Sequence, residues 1–284
     1  MMQQTALIDP FFMNAAEGQR FCLLHTPPPA QTLRASVVYI HPFAEEMNAS
    51  RRMAALQARE FANAGIVVLQ MDLKGCGDSS DGFEDASWSD WIGDVQMARR
   101  WMRNRYHVPL WLWGLRAGCL LAAQVSQLAE PAEPEGKPSK LLFWQPVLSG
   151  RQHLHQFLRL HVASGIARGQ CNKGTAPLEQ MLAQGQAIEV AGYRISPRLA
   201  QGMALANLDS VRATDIISFE LGSPVGQSIS PALTAQLPRW QEAGCRVMAQ
   251  AMEGAAFWHL QESIHCHTLV QASVQAVLTE TTLS

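Results

Sequence analysis

The sequence predicts an α/β fold: a mostly parallel, doubly wound sheet flanked by helices, with one helical insertion. Three observations predict it. Strand-like and helix-like segments alternate through the first half of the chain. The strand-like segments are continuous apolar runs rather than in–out alternations, which marks strands buried on both faces. The alternation stops after Leu148 and resumes at Asp215, so a stretch of helices interrupts an otherwise regular β-α pattern.

Taken in order, "RFCLLHTP" from Arg20 reads as an early strand and "ASVVYIHPF" from Ala35 as a buried parallel one. "SRRMAALQAREFANAG" carries apolar residues at helical spacing and stops at Gly65. "IVVLQMDL" from Ile66 is again a strand. "SWSDWIGDVQMARRWMRNRY" is a helix with Ser87 or Ser89 as its cap. "PLWLWGL" is the next strand, "AGCLLAAQVSQLAEP" the next helix, "AEPAEPEGKPSK" a surface loop, and "SKLLFWQPV" from Ser139 a strand. "RQHLHQFLRLHVASGIARG", "LEQMLAQGQ" and "SPRLAQGMALANL" look helical. The sheet pattern returns with "DIISFELG" from Asp215, a helix in "PALTAQLPRWQEAG", a strand in "CRVMAQAM" from Cys245, and a final helix from about Glu262. The expected organisation is a core of residues 1–147 and 214–284 with a helical cap at 148–213. Such a cap lies over the carboxyl ends of the strands, where ligands bind in α/β sheets.

Composition narrows the function. Of 284 residues 48% are hydrophobic, enough for a large core, and 16% are charged, below the usual level of about 25%. The net charge of -2 comes with no basic block, which argues against nucleic acid as a partner. The six cysteines form no CxxC pair and no disulfide spacing, so reduced thiols in a cytoplasmic protein are expected. The first twenty residues lack the pattern of a signal peptide, and no apolar run reaches the length of a transmembrane helix. His153 with His155, and His265 with His267, are spaced i, i+2 on helix-like segments and do not face one another, so no metal is expected, and no cofactor.

The stretch "LWLWGLRAGCLLA" (110–122) carries the chemistry. An apolar strand, a Gly-x-x-x-Gly turn and a helix have the layout of a nucleophile elbow, normally G-x-S-x-G. Arg116 stands where the nucleophile belongs. Together with "YIHPFAEE" from Tyr39 and "MDLKGCGDSS" from Met71, in this order and spacing, it resembles the α/β-hydrolase fold over nearly the whole chain. More narrowly, "HPFAEEMNASRRM", "DLKGCGDSSDGFEDASW", "GLRAG" and "WQPVLSGRQHLHQFLR" resemble the exosortase A system-associated hydrolases, type 2, which accompany exopolysaccharide and PEP-CTERM sorting systems.

The resemblance implies roles. His259, after the last strand, stands where the fold places its base, and the N–H groups of Phe43 and Ala117 stand where it binds an oxyanion. The acid is not matched: Glu220 is a weak candidate, Gln227 carries no charge, and Glu253 is a weak alternative. Cys119, Cys76, Ser79 and Ser80 are poor substitute nucleophiles, because none has an adjacent base. In this fold the loop around Asp72 is structural.

Arg116 predicts a counter-ion. It stands at a helix amino terminus, where the dipole disfavours a cation, inside a partly closed pocket. The expectation is a strained strand-to-helix turn at Arg116 and a carboxylate of Glu45 or Glu46 within about 4 Å of its guanidinium. Removing that acid is expected to lower stability or raise affinity for anions. Two uses of the pocket stay open. One is hydrolysis of an ester or thioester of exopolysaccharide or lipid metabolism. The other is a non-catalytic site for a small anionic or acyl ligand, or a face for a protein partner of the same system.

Overall fold

The computed structural model describes residues 6–129, 139–167, 174–222, 228–260 and 266–282. The chain opens with β1 (Leu7–Asn14), β2 (Gln19–Thr26), β3 (Ala35–Ile40), α1 (Glu45–Asn63), β4 (Ile66–Met71), α2 (Trp88–Arg105), β5 (Leu110–Leu115), α3 (Gly118–Gln127) and β6 (Lys140–Trp144). Next come α4 (Gly150–Ala167), α5 (Ala176–Ala183), β7 (Ile188–Val190), β8 (Tyr193–Ile195) and α6 (Pro197–Leu205). The chain closes with β9 (Asp215–Gly222), α7 (Pro231–Glu242), β10 (Arg246–Glu253) and α8 (His267–Thr282).

One eight-stranded sheet has the order β1-β2-β4-β3-β5-β6-β9-β10. The six strands from β4 to β10 run parallel, and β1 and β2 are antiparallel. The central strands bury both faces, as their apolar runs predict. In β5, Trp111, Trp113 and Leu115 pack with residues of α1 and α8, while Leu110 and Leu112 pack with residues of α2 and α3. α2 starts as its sequence predicts: the Ser87 hydroxyl accepts from Asp90 N, and the Asp90 carboxylate accepts from Ser87 N, a reciprocal cap.

The structure departs from the sequence expectations in three places. β1 is a strand although Pro10 interrupts its run, because it is an edge paired on one side only, where a missing N–H costs no ladder bond. α1 begins at Glu45, five residues before the expected Ser50, after a backbone reversal at Ala44 (φ 49). The segment between β6 and β9 is not all helical: β7 and β8 form a short hairpin turning at Ala191 and Gly192. Residues 130–138, within the expected surface loop, lie outside the described residues, as do Cys171, Gln227, Glu262 and His265.

The five described cysteines are free thiols. Among the described residues no helix is long and apolar enough to cross a membrane, and no three His, Cys, Asp or Glu side chains are grouped to hold a metal ion.

Candidate functional site

The site forms at the carboxyl ends of β3, β5 and β6. Each of these strands is followed by a non-glycine residue of positive φ: Ala44 (φ 49), Arg116 (φ 54) and Gln145 (φ 46). Such backbone costs on the order of 1–3 kcal/mol per residue and persists where surrounding structure holds it. Here the hold is visible. Arg116 N donates to Trp144 O at 3.0 Å, and Cys119 N donates to Arg116 O at 3.1 Å. Gln145 N donates to Phe219 O, and the Gln145 side-chain oxygen accepts from Leu221 N, both at 2.7 Å. The glycines of the elbow permit the approach. A Cβ on Gly114 would lie 2.6 Å from the main chain of Cys119, and one on Gly118 would lie 2.2 Å from Ile40 O.

The loop after β3 is held from below by His41. Its ring accepts from Leu73 N through Nε2 at 3.3 Å, so Nδ1 carries the proton and donates to Pro42 O at 2.8 Å. Burial pushes this ring below its ordinary pKa, in keeping with the neutral tautomer. The N–H groups of Phe43 and Ala117 donate to no acceptor among the described residues, and both residues are buried.

Four ionisable side chains converge above this backbone. Arg116 Nε donates to Glu46 Oε1 at 3.1 Å, and the Arg116 guanidinium lies 5.3 Å from the Trp258 ring centroid. His259 Nε2 is 3.8 Å from the same Glu46 oxygen, and His153 Nε2 is 4.0 Å from Glu46 Oε2. The Glu46 side chain is 3% exposed, so burial pushes its carboxyl up to about 7 against the downward pull of Arg116. Burial, then Arg116 and His259, push His153 down to about 3, and both its ring nitrogens lack a hydrogen-bond partner. Burial and Arg116 also lower His259. Burial raises Glu45, one of whose oxygens is buried without a partner. The two terminal nitrogens of Arg116 donate to nothing among the described residues. Arg116, Glu45, Glu46, His153, Phe43 and His259 line a cavity of about 230 Å³.

Helix phase selects Glu46 over Glu45 as the partner. Glu46, Ser50 and Met53 share the buried face of α1, and the Ser50 hydroxyl donates to Glu46 O at 2.7 Å. His153 escaped the sequence reading, where it stood only as half of an i, i+2 pair. Its signal is the face it shares on α4 with Gln156, Phe157 and Leu160, all of which line the same cavity.

Other candidates lie elsewhere. The carboxylate of Glu220 caps α7, accepting from Ser230 N at 2.6 Å and from its hydroxyl at 2.8 Å, and makes no contact with His259. Glu253 is exposed at the end of β10 and makes no ion pair among the described residues. Cys119 and Cys76 are buried, which pushes both thiols far up. The hydroxyls of Ser79 and Ser80 accept from Phe21 N and Gln19 N and tie the Asp72 loop to β2. Asp72 accepts from Arg51 at 3.2 Å and from Asp78 N at 3.1 Å.

With strand order, elbow and loop arrangement in place, the class is defined: the chain has the α/β-hydrolase fold. The structure is similar to Est1E from Butyrivibrio proteoclasticus with bound ferulic acid (TM-score 0.65, 10% identity, covering 95% of this chain and 96% of the other). It is similar to a lipase in its open form (TM-score 0.65, 15% identity, 97% and 99% covered). It is also similar to XC6422 from Xanthomonas campestris, an α/β serine hydrolase without lid (TM-score 0.55, 13% identity, 96% and 94% covered). At these identities the likeness is one of fold. No family model and no curated protein sequence matches the chain.

Proposed function

We propose that this chain is a hydrolase-fold protein whose former catalytic pocket binds the anionic end of a small ligand at Arg116. The observation that carries the reading is the state of that guanidinium: one nitrogen bonded to Glu46, and two without an acceptor beside a cavity of about 230 Å³. A planar fork suits a carboxylate or phosphate oxygen pair. Glu46 tunes the site, because its raised pKa lets a proton remove the competing negative charge near neutrality. Residues 148–213 act as the cap, supplying His153 and Phe157 to the cavity wall. The resemblance to exosortase A system-associated hydrolases supports an acyl or carboxylate-bearing ligand of exopolysaccharide metabolism, and a protein partner of that system.

Calorimetric titration with butyrate and with inorganic phosphate tests this. Binding is expected at pH 6, weaker binding at pH 8 as Glu46 ionises, and loss in Arg116→Gln at both. Equal affinity in wild type and Arg116→Gln would overturn the reading.

A second reading, hydrolysis of an ester or thioester, is favoured by one observation: among the described residues the N–H of Phe43, which lines the cavity with His259, and the N–H of Ala117, next in the chain to the cavity residue Arg116, are both without an acceptor. Arg116→Ser is then expected to hydrolyse nitrophenyl butyrate about 10²-fold faster than buffer, with the gain lost in Arg116→Ser/His259→Ala. A folded Arg116→Ser protein with no rate above buffer would rule out a retained catalytic scaffold. Activity of the unsubstituted protein that disappears in His259→Ala would instead establish an enzyme without a serine nucleophile.

A further inference from the structure

A second, larger concavity lies between α4, α5 and α6. Its volume is about 760 Å³, within the range of small-molecule sites of roughly 300–1,000 Å³. Leu154, Leu182 and Ala200, all buried, form part of its lining. Arg151 and Arg159 stand on the same lining, both exposed. They are eight residues apart on α4, so they lie about 12 Å apart along one side of the helix. Neither has an acidic partner among the described residues. The acid in the groove, Glu179, is already engaged by His155 at 2.9 Å between them. An apolar floor with two unpaired guanidiniums, and an acid whose carboxylate is already hydrogen-bonded to His155, is complementary to a molecule with a greasy body and a negative head.

We propose that this groove binds a single-chain acyl anion, its chain against Leu154, Leu182 and Ala200 and its carboxylate held by the arginines of α4. The site is distinct from the Arg116 cavity and stands whether or not that cavity takes a ligand. Gln156 lines both volumes, so the two meet at one side chain of α4.

The test is calorimetric titration of the full chain with dodecanoate below its micelle concentration. Expected, with Arg116→Gln used so that the other cavity takes no carboxylate, are one bound chain per protein, weaker binding of octanoate, and no binding of dodecyltrimethylammonium. Arg151→Gln/Arg159→Gln is expected to weaken dodecanoate at least about tenfold, and Ala183→Trp to do the same by filling the groove. All three positions are exposed, and circular dichroism verifies that the variants fold. Arg116→Gln is expected to leave dodecanoate binding in place. Three results would overturn the proposal: affinity unchanged in both groove variants; affinity lost only in Arg116→Gln, which moves the anion to the other cavity; or sedimentation with phosphatidylglycerol vesicles without uptake of monomeric dodecanoate, which makes the face a membrane contact.

Discussion

Gly118→Ala is expected to destabilise the protein by about 3 kcal/mol and, in a chain of 284 residues, to lower the melting temperature by roughly 5 °C. The added Cβ would lie 2.2 Å from Ile40 O and 2.8 Å from His41 O. Both are main-chain atoms at the end of β3 and cannot swing aside as a side chain would. Relief requires α3 to move off the sheet, which would also move Arg116 and the Ala117 N–H. Gly93 is the internal control. It sits on the exposed face of α2, and a Cβ there would meet nothing within 4 Å. Gly93→Ala is therefore expected to stabilise by about 0.5–1 kcal/mol through helix propensity alone. The same substitution should change sign between two helices because one glycine serves a close approach and the other does not. Thermal melts of the two variants decide it. A Gly118→Ala protein as stable as the parent would show that α3 does not pack on β3 as described.

Glu46→Gln is expected to reverse the usual consequence of breaking an ion pair. Burial raises Glu46 from 4.5 to about 7 in the folded state despite Arg116. The folded protein therefore holds the proton more tightly than the unfolded chain, and this residue's contribution to stability falls as pH rises from about 4.5 to 7. His153 acts in the opposite sense. Its depressed folded pKa means that stability is lost as pH falls from 6.5 toward about 3. Between pH 4.5 and 6.5 the two effects offset each other in the parent protein. In Glu46→Gln only the His153 effect remains, so the variant should lose stability on acidification through that window. Relative to the parent, the variant should be about equal near pH 4.5. It should be the more stable by up to about 3 kcal/mol at pH 8. Anion affinity at Arg116 should rise at pH 8 because the competing carboxylate is gone. Urea denaturation of both proteins at pH 4.5, 6.5 and 8 measures the sign. If the variant is instead weaker at pH 8 than at pH 4.5 relative to the parent, the attraction of Arg116 outweighs burial and Glu46 titrates low. The sequence-based expectation is that loss of the acid lowers stability or raises affinity for anions; burial favours the second of these and reverses the sign of the first at pH 8.

The local and periodic features of this protein are legible in its sequence. Uninterrupted runs such as "VVYI" and "LWLW" specify two-face burial, and with it the parallel centre of the sheet. Gly114 and Gly118 flanking Arg116 specify the strained turn, because only a residue without Cβ fits so near another main chain. Weaker local signals were not legible. β1 carries a proline, and β7 and β8 have three residues each, too few to show a period. Tertiary structure alone decided which charges meet. Glu45 and Glu46 are adjacent and chemically alike, and the reversal at Ala44 sets the helix phase that turns Glu46 into the core. Residues 46, 116, 153 and 259 come from four separate elements, and no spacing along the chain encodes their convergence. Glu220, plausible by position as an acid, is instead occupied by a serine ten residues away. Whether a carboxylate serves as cap, counter-ion or base depends on which groups share its low-dielectric surroundings, and those are set by packing between distant segments.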